Sequence, residues 1–373
     1  MKSAIMNFAA IAVALALCFN TSVSAGTRYV DGTSLNLIGK LMPTPNPYHR
    51  VDTVKYKGFT PDENIQVRCG AGLALMFKTN SRSISVRAGY GYIDNFINTM
   101  PLSLRGWNLF IKGSDGQWIS AATWSAPAGR ETDSVTLISG MDGSMHECIL
   151  YLPIYSEVFD VQVGVDDDAE ISYLESPFRH RVAIFGSSYT QGISTSRAGM
   201  SYPSQFTRNT GIQLLNLGCS GNCKLQPYFA EVLKDADVDA IIFDAFSNPS
   251  AQLISERLFP FIESIQSAHP GIPLIFQKTI YREGRTFNGV VEASEAAKMA
   301  VADSLMKIAV KKYKDVYYIV PNAGGKGYQT SVDGIHPDDY GYSLWAKSIQ
   351  KDVLKILRKY GIKASDAPES PAF

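Results

Sequence analysis

The hydrophobic pattern divides the chain into two halves of different period. From residue 26 to about 176, short apolar runs alternate with turn residues, and 71–78, 83–88, 107–112, 118–124, 134–139 and 146–152 read as strands. Ser114-Asp115-Gly116 and Met141-Asp142-Gly143 punctuate them, and 114–117 between two such runs is a hairpin candidate. Short, regularly spaced strands predict a β-sandwich, closed by 152–171 with its acidic turn at 166–168. Beyond residue 177, apolar strands at 182–185, 213–217, 240–246, 273–280 and 316–320 alternate with helical stretches at 224–235, 252–268, 291–314 and 340–358. That alternation predicts a five-stranded parallel sheet in an α/β/α sandwich, with ligands bound beyond the carboxyl ends of the strands. The expected division is therefore 1–25, 26–176 and 177–373, with no internal repeat.

The segment 1–25 is read as a signal peptide. Lys2 supplies the basic start, 5–19 the apolar stretch and Val23-Ser24-Ala25 the small-residue cleavage site. The mature chain is expected to be exported, periplasmic or secreted, and no other stretch is long and apolar enough to span a membrane. Cys18 after Leu15-Ala16-Leu17 is a poor lipoprotein box, because leucine directly precedes the cysteine. With 35 basic and 35 acidic residues the net charge is zero, which gives no reason to expect nucleic acid or an acidic membrane as partner. The remaining cysteines, Cys69, Cys148, Cys219 and Cys223, allow two disulfides in three connectivities, although Cys69 and Cys148 read better as buried thiols in strands. There is no C-x-x-C pair and no H-E-x-x-H helix, so neither metal nor organic cofactor is expected.

The chemistry concentrates at strand ends. The run 182–185 stops at Gly186 and delivers Ser187, Ser188 and Thr190 before Gly192. A hydroxyl at such a corner suits nucleophilic work, because nearby backbone N–H groups can stabilise an oxyanion. The run could also be a plain strand-to-helix corner, and it is not a G-x-S-x-G elbow, since Thr190 replaces the second glycine. Gly186-Ser187-Ser188-Tyr189-Thr190-Gln191-Gly192 resembles block I of the SGNH (GDSL-type) hydrolases, Gly-Asp-Ser-Leu-Thr-x-Gly, with Ser for Asp at 187 and Tyr for Leu at 189.

The resemblance implies roles for residues further along. Ser188 would be the nucleophile. Gly218, just past the second strand, and Asn248, past the third, would complete the oxyanion hole with the Ser188 N–H. His336 in Val332-Asp333-Gly334-Ile335-His336-Pro337 would be the general base, oriented by Asp333. Taken singly, Gly218 could be a turn glycine, Asn248 a helix cap and Asp333-x-x-His336 a surface loop. Their order along the chain, each at a successive strand end, is what carries the resemblance over 181–360. It implies a flavodoxin-like SGNH domain. Gly106-Trp107-Asn108-Leu109-Phe110 resembles the Gly-x-Asp-Leu-Tyr signature of a β-domain preceding certain bacterial members, with Asn at 108 and Phe at 110.

The implied activity is ester hydrolysis through an acyl-enzyme without a cofactor. The expected substrate is a small-molecule or glycan ester, above all an O-acetyl ester of polysaccharide. A lipid-directed esterase, lysophospholipase or thioesterase is the alternative, and a non-catalytic carbohydrate-binding scaffold a third reading. Tyr281 and Arg282, in the loop after the fourth strand, are candidate substrate contacts. Oligomeric state is not readable from the sequence.

Overall fold

The computed structural model describes residues 26–324 and 327–364; the expected signal segment and Cys18 lie outside the described residues. Ten strands form the N-terminal part: β1 (Thr27–Asp31), β2 (Asn36–Ile38), β3 (Ala74–Thr79), β4 (Ser83–Ile93), β5 (Trp107–Lys112), β6 (Trp118–Trp124), β7 (Val135–Ser139), β8 (His146–Tyr151), β9 (Ser156–Asp166) and β10 (Ile171–Tyr173). Two short helices interrupt them, α1 (Pro61–Gln66) and α2 (Pro101–Leu104). The strands make two antiparallel sheets, β1-β9-β4-β7 and β10-β3-β8-β5-β6, with β2 paired to β3.

Period-two alternation decides what each face of these sheets covers. In β3, Leu75 and Phe77 point into a core shared with Ile84 and Val86 of β4 and Val161 and Val163 of β9. Ala74 and Met76 point the other way, into a second cluster with Phe178, Ile193 and Ala198 of the C-terminal part. The reading of 152–171 as a mere closing segment is corrected. It contains β9, the eleven-residue strand at the centre of one sheet, whose pattern is masked by exposed positions 159 and 160.

The second part is a parallel sheet, β11 (Arg179–Gly186), β12 (Ile212–Gly218), β13 (Ala240–Asp244), β14 (Leu274–Gln277) and β15 (Val316–Ile319), in the order β12-β11-β13-β14-β15. The helices between them are α3 (Ser188–Gln191), α4 (Tyr202–Thr210), α5 (Pro227–Lys234), α6 (Ala251–Ala268), α7 (Gly289–Lys312) and α8 (Asp339–Arg358). Along β11, Ala183 and Phe185 pack with α5, α6 and α7, while Val182 and Ile184 pack with α4 and α8. This is the expected three-layer arrangement, and a strand buried on both faces explains the unbroken apolar run.

Hydrophobic packing crosses the expected division near residue 177. Leu41, Met42, Val51, Tyr56 and Val67 belong to the core under α5 and α6. Arg50, fully buried, donates to the carbonyls of Gln66 (2.5 Å), Cys69 (2.9 Å), Asn216 (3.1 Å) and Gly218 (2.9 Å). Asn108 makes a second link: its Oδ1 accepts from Gly199 N–H at 3.0 Å, and its Nδ2 donates within its own sheet. The four cysteines are free and buried, and Cys69 lies just after α1 rather than in a strand. Burial pushes the Cys69 and Cys148 thiols up to about 12, so they remain protonated and inert. Among the described residues no helix is long and apolar enough to cross a membrane.

Candidate active site

Parallel register brings three strand ends to one line: Gly186 of β11 pairs with Gly218 of β12 and Asp244 of β13. At this edge the backbone turns sharply into α3. A Cβ on Gly186 would lie 2.0 Å from Thr190 Oγ1, so only glycine allows the turn. Ser187 caps the short helix, accepting from Tyr189 N–H and donating to Asp244 Oδ2 at 2.7 Å. Ser188 is the first residue inside the helix and is only 6% exposed.

Ser188 Oγ lies 3.1 Å from His336 Nε2, and His336 Nδ1 lies 2.8 Å from Asp333 Oδ2. An ionised carboxylate can only accept, so Nδ1 carries the proton and the Nε2 lone pair faces the serine. Asp333 Oδ1 also accepts the N–H groups of Ile335 (2.9 Å) and His336 (2.8 Å). Burial alone would raise the Asp333 carboxyl. Hydrogen bonds from the His336 side chain, the His336 backbone and Asn98 outweigh it and hold the group well below the usual carboxylate range.

The departures from the block I pattern have structural counterparts. Where the pattern has an aspartate, Ser187 stands, and the carboxylate comes instead from Asp244 at the end of β13. Asp244 accepts from Ser187 Oγ, from Ser187 N–H (3.3 Å), from Thr190 Oγ1 (3.1 Å) and from Ser247 Oγ (3.3 Å). Fully buried without a cation bonded to it among the described residues, its carboxyl is pushed up to about 6. Tyr189, in the leucine's place, is buried with its ring 5.5 Å from the His336 ring. Its hydroxyl donates to Ile335 O at 3.1 Å, tying the helix to the histidine loop.

Gly218 does not present its N–H to the site, which corrects the expectation placed on it. That N–H is donated to Asn216 Oδ1 at 2.8 Å, and a Cβ there would lie 2.2 Å from Gln191 N. The glycine is needed so that α3 can pack against β12. Three residues on, Gly221 is exposed at φ +72° with open space where a Cβ would be, and no hydrogen bond takes up its N–H among the described residues. Both glycines follow the same strand, so spacing alone does not separate them. Asn248 does not cap α6, since Ser250 does. Its Oδ1 accepts Cys223 N–H at 3.3 Å, which leaves the amide nitrogen as a donor beside the Gly221 loop.

Arg282 is not free to contact a substrate. Its Nε donates to Tyr189 Oη (2.9 Å), one terminal nitrogen to Ser247 O (2.9 Å) and the other to Glu295 (3.2 Å). The Tyr281 ring is covered by the Arg285 guanidinium, 4.6 Å from its centroid. The loop they occupy braces the histidine loop: Glu283 accepts from both the N–H and hydroxyl groups of Thr330 and Ser331, and Gly284 N–H donates to Gly334 O at 2.7 Å. Asn98, from the N-terminal half, was not anticipated. Its Nδ2 donates to Asp333 Oδ2 at 2.7 Å. No cluster of three or more metal-ligating side chains occurs among the described residues.

Both halves of the chain resemble known proteins. Residues 179–355 match the model of the GDSL-like lipase/acylhydrolase family, and residues 27–171 match that of the N-terminus of SGNH-hydrolase-type esterases. A Bacteroides ovatus ATCC 8483 crystal structure described as a GDSL-like lipase is 34% identical, covering 89% of this chain and 98% of its own, with a TM-score of 0.85. The salicylyl-acyltransferase SsfX3 from a tetracycline biosynthetic pathway shares the fold at 17% identity and TM-score 0.66, over 90% of this chain and 98% of its own. So does a family two carbohydrate esterase from Clostridium thermocellum in complex with cellohexaose, at 13% identity and TM-score 0.55, over 77% of this chain and 93% of its own. No curated protein matches the sequence.

Proposed function

The chain belongs to the GDSL-like lipase/acylhydrolase family and is an SGNH-type esterase, and from that premise we propose that Ser188, His336 and Asp333 act as its triad on O-acetyl esters of carbohydrate. The observation that carries the assignment is the in-line approach of Ser188 Oγ to His336 Nε2 with Asp333 behind it. His336 takes the hydroxyl proton as Ser188 Oγ bonds to the acyl carbon. The carbonyl electrons move onto oxygen, where the N–H groups of Ser188 and Gly221 and the Asn248 amide receive them. The histidine then gives its proton to the departing alkoxide, leaving an acyl-serine. Water, deprotonated by the same nitrogen, releases the acid and restores the serine.

A small acyl group fits the depth of the nucleophile. Ser188 is only 6% exposed, and acetyl is the acyl group whose approach to so covered a hydroxyl displaces least. Zero net charge suits a neutral glycan better than an anionic surface. Export of the mature chain, proposed from residues 1–25, would put it where polysaccharide is met.

One observation favours a second reading, a lipid-directed esterase. Ile97 and Ile335, each next in sequence to a residue of the site, are exposed, Ile97 completely. Hydrolysis of p-nitrophenyl esters from acetate to octanoate separates the two. The proposal expects turnover greatest on acetate, release of acetate from acetylated xylan or glucomannan, and loss of at least about 1,000-fold in Ser188→Ala. A maximum at octanoate would transfer the site to lipids, and undiminished turnover in Ser188→Ala would overturn the triad.

A further inference from the structure

The β-sandwich half sends one side chain to the triad. We infer that Asn98 is a positioning residue, holding the Asp333 carboxylate on the His336 Nδ1–H; this rests on the triad proposed above. Asn98 Nδ2 and His336 Nδ1 converge on the same oxygen, Asp333 Oδ2, at 2.7 and 2.8 Å. The 3.5 Å separation of the two nitrogens follows from sharing that acceptor.

The aspartate needs such a brace. Its loop is exposed, with Val332, Asp333 and Ile335 all open to solvent. Its Oδ1 is held by two N–H groups of its own loop, but Oδ2 would have only the histidine to fix it against rotation. A charge-assisted bond from a neutral amide adds a second fixed donor without competing for the proton.

Asn98 can serve because its own backbone is anchored on both sides. Phe96 packs edge-on against the buried Tyr155, ring centroids 5.2 Å apart, and Thr99 Oγ1 accepts Ser194 N–H at 3.0 Å. Nearby, Ser103 Oγ bonds Thr195 Oγ1 at 2.7 Å. The donor is therefore preset by contacts between the two halves, and docking of the sandwich completes the site.

The test compares Asn98→Ala, Asn98→Asp and Asp333→Ala with the parent in the full-length chain on p-nitrophenyl acetate. Thermal unfolding is measured alongside to establish that each variant is folded. Asn98→Ala is expected to lower kcat roughly ten- to a hundredfold with KM little changed. Asn98→Asp, nearly isosteric, is expected to be worse than alanine, because it replaces the donor with a second carboxylate beside Asp333. In the Asp333→Ala background, Asn98→Ala should cost almost nothing further.

A space-filling or loop-holding role would give the opposite order, with aspartate near the parent and alanine worst, and would overturn the inference. So would an equal loss from Asn98→Ala with and without Asp333. Should Ser188→Ala remain active, the triad itself fails. Should Ser188→Ala be inactive while both Asn98 variants match the parent, only this inference fails.

Discussion

Asp244 gives the sharpest quantitative prediction. Its carboxyl is fully buried, hydrogen-bonded to three side-chain hydroxyls and one N–H, with no cation bonded to it among the described residues, and is pushed up from its ordinary 3.8 to about 6. Between those values the folded chain binds a proton that the unfolded chain has lost, so stability falls as pH rises through the window. At ~1.4 kcal/mol per pH unit, the ionised group costs the fold about 3 kcal/mol above pH 6. Asp244→Asn removes that cost. The amide oxygen can replace Oδ2 under Ser187 and Thr190. The amide nitrogen then faces Ser247 Oγ, a hydroxyl able to accept. Urea unfolding of both chains from pH 4 to 8 isolates the effect, because other titrations cancel in the difference. The variant should be up to about 3 kcal/mol more stable than the parent at pH 7.5, with the advantage gone near pH 4. A constant offset across the range, or an advantage that grows as pH falls, would refute the account of Asp244 as a buried carboxylate opposed by desolvation.

Two further outcomes follow from the same geometry. Tyr189→Phe keeps the ring against His336 and Trp345 but leaves Ile335 O and Arg282 Nε without their partner; kcat should fall roughly tenfold at unchanged KM, read from steady-state kinetics. Arg50→Met strands four carbonyls, two at the end of β12, and should lower stability by roughly 3–5 kcal/mol in urea unfolding.

Much of the proposed site is visible in the chain because parallel sheets place polar turns at strand ends. Ser188 follows β11, Asn248 follows β13, and His336 lies between β15 and α8. An apolar run ending in a polar turn marks such a position without any knowledge of neighbours. Gly218 shows where that logic stops. The glycine after β12 was found, but two glycines follow the strand, and only the backbone path distinguishes the one whose N–H is taken by Asn216 from the one left open. Arg282 was misread for a related reason. An arginine after a strand looks available for a ligand until the buried carbonyl, carboxylate and phenol around it are known.

What the sequence alone determined was therefore local: most of the strands, the change of period, the Ser188 corner and the Asp333-x-x-His336 loop, each specified by residues a few positions apart. What only the tertiary structure decided is long-range. Asn98 meets Asp333 across 235 positions, Asp244 meets Ser187 across 57, and Arg50 reaches Gly218 across 168. The physical reason is that a buried polar group such as Asp244 or Arg50 must find a partner, and even the exposed Asp333 takes whichever donor the fold brings near, but nothing local says which one. The choice among distant donors and acceptors is made by the packing of elements far apart in the chain: within the parallel sheet for Asp244, and between the two halves for Asp333 and Arg50.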